Sequence, residues 1–180
     1  MIDRMLRQKE FAAFGLFVIA LAGCAGSSGT VSVPIAGGGQ IALQKNGSTF
    51  KQAENGRVVV TDAGLQAVNF DGKYYVRWTF GIRPKQPTEL TNVRVEDVSG
   101  ASSLLLVNDV APQLDAGKWK GNAGLMELST TSLPWFYENT DSARTLRFTV
   151  TEVNGQSYVL YQGVLYTPSG KSAIRKSVGQ

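Results

Sequence analysis

Five carboxylates, Asp97, Asp109, Glu127, Glu138 and Asp141, are the side chains best suited to acid–base chemistry. Two of them facing each other across a glycosidic bond could hydrolyse it, one as acid and the other as base or nucleophile. Their spacing singles out no pair. The chain has no histidine and one cysteine, Cys24. Ser-His-Asp and Cys-His nucleophile systems are therefore excluded, as is any intrachain disulfide. Zinc and haem lose their usual ligands. Calcium needs only oxygen, but the nearest cluster, Asn108, Asp109 and Asp115, lacks the ordered ligand spacing of a calcium loop. Gly37-Gly38-Gly39 leads into a strand-like run, so the helix N-terminus that would hold a phosphate is missing. The expectation is a protein without catalytic residues, metal or cofactor.

Cys24 carries a different chemistry. Arg4, Arg7 and Lys9 precede an apolar run from Phe11 to Gly23, thirteen residues long. As a helix it spans about 20 Å, short of a hydrocarbon core of roughly 30 Å, so it reads as a secretory signal and not as a stable membrane span. The run ends Leu21-Ala22-Gly23-Cys24. This resembles the lipobox of bacterial lipoproteins over the first two dozen residues. The resemblance implies a diacylglyceryl group on the Cys24 thiol, cleavage after Gly23 and acylation of the new amino group. Two or more acyl chains give stable anchoring. Ala25 stands where an Asp would imply inner-membrane retention, so the resemblance implies the outer membrane, periplasmic face. The expected divisions are a signal peptide at 1–23, the lipidated Cys24 with a flexible Gly/Ser-rich tether at 24–39, a β-sandwich at 40–168 and a basic tail at 169–180. Val31–Ile35 could instead dock as a short edge strand.

With little chemistry available, the candidate functional residues are those that would bind. Trp119 lies between Lys118 and Lys120, an arrangement that exposes the backbone around it. Trp135-Phe136-Tyr137 follows Pro134, and three consecutive aromatics cannot all face one core from an extended strand. Tyr158, Leu160, Val164 and Tyr166 form an apolar stripe, either an interaction patch or a surface buried under the tether, a loop or a second sheet. The function expected is a lipid-anchored, non-catalytic protein that binds another envelope protein as an assembly or accessory subunit. One alternative is an inhibitor or immunity protein with Leu133–Asp141 as its plug. A second is a glycan- or peptidoglycan-binding module that stacks sugars on Trp119 or Trp135. The net charge is +4. Lys171, Arg175 and Lys176 would touch anionic lipid or form a solvated tail. Nucleic acid is not expected in the envelope.

The elements that position these residues read as strands. Asn46-Gly47, Asn55-Gly56, Asp71-Gly72 and Asn154-Gly155 each separate apolar or β-branched runs, the pattern of tight hairpins. After Asp71-Gly72, Tyr74, Val76, Trp78, Phe80 and Ile82 alternate with Tyr75, Arg77, Thr79, Gly81 and Arg83, a half-buried strand. A two-residue turn predicts Leu65 opposite Trp78 and Ala67 opposite Val76. The same rule at Asn154-Gly155 predicts Val150 opposite Val159 and Phe148 opposite Tyr161. That leaves Tyr158, Leu160 and Val164 on the other face. Further strands are expected at 41–45, 48–53, 57–62, 91–98 and 103–110, with Leu90, Val93 and Val95 inside and Asn92, Arg94 and Glu96 in water. Pro112–Gly117 or Thr131–Asn139 could hold one helical turn. Many short strands separated by Gly/Asn turns predict an all-β, antiparallel β-sandwich. Tyr75–Gly100, with its strand tryptophan, resembles an immunoglobulin-type module, a likeness that implies no particular activity.

Overall fold

A computed structural model describes residues 29–47, 49–71, 73–127 and 144–165. The expected all-β antiparallel sandwich is observed, and among the described residues there is no helix. The strands are β1 (Gly29–Pro34), β2 (Gln40–Asn46), β3 (Thr49–Phe50), β4 (Val58–Phe70), β5 (Lys73–Pro84), β6 (Leu90–Asp97), β7 (Leu104–Asp109), β8 (Leu114–Asp115), β9 (Lys118–Glu127), β10 (Arg144–Glu152) and β11 (Ser157–Val164). They form a sheet β4-β5-β9-β8, a sheet β11-β10-β6-β7, and a small sheet β1-β2-β3.

The two larger sheets share one core. Val58, Val60, Leu65, Trp78, Phe80, Ile82 and Trp119 come from one, and Val93, Val95, Leu146, Phe148, Val150, Leu160 and Val164 from the other. Phe80 and Phe148 meet edge to face across it, with centroids 5.9 Å apart and planes at 81°, the arrangement that places a ring's positive edge on a negative face. The alternation along β5 is as predicted for Trp78, Phe80 and Ile82, which are buried, and for Arg77 and Arg83, which are exposed. The side chains of Tyr74 and Val76 lie outside the described residues. Leu65 is opposite Trp78 and Ala67 opposite Val76, also as predicted. The turn residue Asp71 has φ of 49°.

The β10–β11 hairpin departs from its predicted register. Val150 pairs with Tyr158, Phe148 with Leu160, Leu146 with Gln162 and Arg144 with Val164. The connection is one residue longer than a two-residue turn. Glu152 N donates to Gln156 O and Gly155 N to Glu152 O, enclosing Val153-Asn154-Gly155. Gly155 takes the left-handed position, φ +81°, the usual form of a three-residue hairpin loop. A one-residue slip exchanges the two faces of a strand. Leu160 and Val164 therefore point into the core, each 5% exposed, and Val159 points out at 52%.

The tether expected at 24–39 is corrected over Gly29–Pro34. These residues form β1, antiparallel to β2, with Val31 opposite Leu43 and Val33 opposite Ile41, close to the edge-strand alternative. Valine-rich alternation accounts for it: Val31, Val33, Ile41 and Leu43 share the more buried face, while Ser32, Gln40, Ala42 and Gln44 are exposed. The Phe50 ring of this small sheet sits on Gly163 of β11, and a Cβ at Gly163 would overlap it. Ala36 N donates to Val98 O at 2.8 Å. Gln162 ties the connection to β4 by accepting from Ala53 N at 2.7 Å and donating to Lys51 O at 3.2 Å.

Candidate functional site

The solvent face of β11-β10-β6-β7 brings together the most functional-looking groups. Cross-strand pairing places Val159 beside Thr149, Thr149 beside Arg94, and Arg94 beside Asn108. The next row runs Tyr161, Arg147, Glu96 and Leu105. Leu105, 49% exposed, mirrors Val159 on the opposite edge strand. Between these aliphatic ends lies a charged centre. Arg94 Nη2 donates to Glu96 Oε1 at 2.9 Å, and Arg147 holds Oε2 with Nη2 at 2.8 Å and Nε at 3.0 Å. Glu96 was expected in water. Its residue is 3% exposed, because the two arginines lie over it and accept its charge.

Hydrogen bonding from Arg94, then from Arg147, holds the Glu96 carboxyl below its ordinary pKa against the opposing effect of burial. The same bond raises the Arg94 guanidinium above its ordinary value. Both arginines keep part of their surface, 45% for Arg94 and 30% for Arg147. The centre therefore offers two planar donors over one neutralising carboxylate, a net positive patch suited to a partner's carboxylate or carbonyl groups.

Beside this face, β2 and the β3–β4 connection form a groove with β11 of about 530 Å³. Ile41, Leu43 and Phe50 line one wall, and Val159, Tyr161 and Gly163 the other. A second groove, about 450 Å³, lies between β4 and the end of β11, with Thr61, Asp62, Thr79 and Leu165 in its walls. Phe50 borders both.

Several residues predicted to bind are placed elsewhere. The Tyr158/Leu160/Val164 stripe is corrected: Leu160 and Val164 are core, and Tyr158 packs half-buried against it. The Tyr158 hydroxyl donates to Gln156 Oε1 at 2.7 Å. It also borders Glu152, which Arg57 Nη2 holds at 2.8 and 3.1 Å. The cause is the extra loop residue at Val153–Gly155. Trp119 is corrected as well. It is 1% exposed, and its Nε1 donates to Asp109 Oδ2 at 2.8 Å, so it cannot stack a sugar. The flanking lysines face solvent while the indole turns inward, as alternation on a strand requires. Tyr166, Trp135, Phe136, Tyr137 and Cys24 lie outside the described residues, as do Lys171, Arg175 and Lys176.

Among the candidate acids, Asp97 forms a fully buried ion pair with Arg144, Oδ2 to Nε 2.8 Å. Asp109 holds Trp119 with one oxygen and Ala111 N with the other. Both serve the fold. Glu138 and Asp141 lie outside the described residues, as does the side chain of Glu127. Among the described residues no group of three His, Cys, Asp or Glu side chains is placed to hold a metal. Also among them, no helix is long and apolar enough to cross a membrane. Sequence reasoning missed Val159, Tyr161, Leu105 and the arginine pair. The signal for the pair was present in Arg94-Val95-Glu96, where alternation puts both charges on one face two residues apart.

No protein-family model, no curated protein and no solved structure matches this chain.

Proposed function

We propose that this chain is a lipid-anchored, non-catalytic envelope protein that binds another protein through the solvent face of β11-β10-β6-β7. The observation that carries the reading is an open sheet face with Val159 and Leu105 exposed at its two edges and Arg94 and Arg147 between them. Arginine and aromatic residues with exposed aliphatics are the composition of protein interfaces. Tyr161 and the groove beside β2 extend that face. Anchoring rests on Leu21-Ala22-Gly23-Cys24. An immunoglobulin-like classification belongs to the same proposal. Lettered in chain order from β4, the sheets run A-B-E-D and G-F-C-C′, which supports it.

The test is crosslinking in intact cells followed by pull-down from detergent extract. Val159→Asp combined with Leu105→Asp should abolish recovery of the partner while the protein still folds and localises. Unchanged recovery rejects this face. Metabolic labelling with a fatty acid tests the anchor separately, and Cys24→Ala should lose the label.

A further inference from the structure

The small sheet bears on which end of the molecule would face the membrane. This inference rests on the proposed acylation of Cys24. Five residue steps separate Cys24 from Gly29, the first residue of β1. Even fully extended, they reach about 17 Å. The acyl chains hold Cys24 at the bilayer surface, so the start of β1 stays within that distance of the headgroups.

The register then names what lies there. Gly29 is opposite Lys45, and Lys45 is opposite Phe50. Neighbouring strands are about 4.8 Å apart, so this row stays within roughly 10 Å of Gly29. The Lys45 ammonium lies 5.8 Å from the Phe50 ring centroid. Lys51 is exposed, and its Nζ reaches Gln44 Oε1 at 3.4 Å. Gln44 is opposite Thr30. Two lysines thus stand beside the first two residues of β1, one on each side of the sheet. Among the described residues, the acids lining the two grooves that Phe50 borders are Asp62 and Glu54, and Glu54 is paired with Lys85 at 2.5 Å.

We infer that the β1–β2–β3 sheet is a membrane-docking surface, with Lys45 and Lys51 set against the anionic headgroups of the leaflet that holds Cys24. The anchor supplies attachment. The lysines supply orientation, since a cation next to an anionic leaflet contributes about fivefold in binding and loses it beyond a Debye length. The Val153–Gly155 end of the β10–β11 hairpin is held away from that surface, because it lies at the opposite end of β11 from the Gly163 that Phe50 covers.

The experiment uses full-chain protein, purified from membranes and reconstituted into phosphatidylcholine vesicles with or without phosphatidylglycerol. A fluorophore is placed on Thr30→Cys or on Val153→Cys, and a headgroup-located spin label quenches it. Mass measurement of the Cys24 peptide reads acylation independently of docking. With Cys24 acylated, Thr30→Cys should be quenched several-fold more than Val153→Cys on anionic vesicles. Lys45→Gln plus Lys51→Gln, or high salt, should bring the two signals together. Equal quenching at both positions in the parent chain, or a difference that ignores the lysine changes and salt, overturns the docking surface while leaving the anchor intact. An unmodified Cys24 overturns both.

Discussion

The β4–β5 and β10–β11 hairpins are built from the same grammar, an Asx-Gly pair between alternating strands, yet only the first has the register its turn predicts. In β4–β5, Asp71 occupies positive φ, and Phe70 pairs with Lys73. In β10–β11, Asn154 leaves the left-handed position to Gly155, and Val153 joins the loop. The strands explain why the second hairpin tolerates either alignment on paper. β5 sets Trp78, Phe80 and Ile82 against Arg77 and Arg83, so only one face can enter a core. β11 carries apolar residues on both faces, Tyr158, Leu160 and Val164 against Val159 and Tyr161. Register is strongly specified only where the faces differ.

The sharpest way to break the comparison is to put a charge on each face of β11. Leu160→Asp should cost about 4 kcal/mol or more, because an unpaired carboxylate enters the core. Val159→Asp should stay within about 0.5 kcal/mol, as for ordinary surface changes. Urea unfolding of both variants reads the difference, and the reverse order would restore the two-residue turn. In the β4–β5 hairpin, Trp78→Ala should lose about 3–5 kcal/mol and Arg77→Ala almost none.

Next in size is the buried pair behind β10. Asp97→Ala leaves Arg144 charged at zero exposure and should cost about 3–5 kcal/mol. A change to a fraction of that would show that other contacts of Arg144 carry its charge. Gly163→Ala comes third, at about 1–3 kcal/mol from overpacking against Phe50. Combining it with Phe50→Ala should make the two effects strongly non-additive in a thermal-unfolding cycle, since the clash disappears with the ring. The smallest conformational effect is at the loop itself, where Gly155→Ala should cost about 1 kcal/mol for placing a Cβ at positive φ. Equal stability would mean that the turn rearranges.

The charged centre adds a pH dependence. The Glu96 pKa is lowered in the folded protein, so its contribution is present above the unfolded glutamate pKa and is lost as pH falls through the folded value. Glu96→Gln should therefore be less stable than the parent at neutral pH and converge with it in acid. Parallel stability–pH curves would remove Glu96 from the balance.

Much of the fold was legible because burial and alternation agree locally. Val93 and Val95 were readable as core. The strand expected at 41–45 lies inside β2, those at 57–62, 91–98 and 103–110 overlap β4, β6 and β7 but overrun them by a residue at one or both ends, and that at 48–53 shrinks to Thr49–Phe50. The candidate site was mostly illegible. Trp119 next to lysines looks exposed until Asp109, from the neighbouring strand β7, is found holding its indole N–H. Glu96 looks solvated until Arg147, fifty-one positions away, closes over it. Val159 became a surface residue only through one loop residue. Each of these depends on a partner distant in sequence or on a turn with two permitted lengths.

By itself, the amino-acid order determined an all-β fold, its hairpin positions and the absence of histidine chemistry. These follow from period-two hydrophobicity, backbone freedom at Gly and Asx, and composition, none of which needs a long-range contact. The tertiary structure decided which face of β11 is inside, that Gly29–Pro34 pairs as a strand, and that two arginines share one buried carboxylate. Those choices are made by burial against other sheets, and the free energy of burial depends on what lies opposite a residue, which neighbours in sequence do not specify.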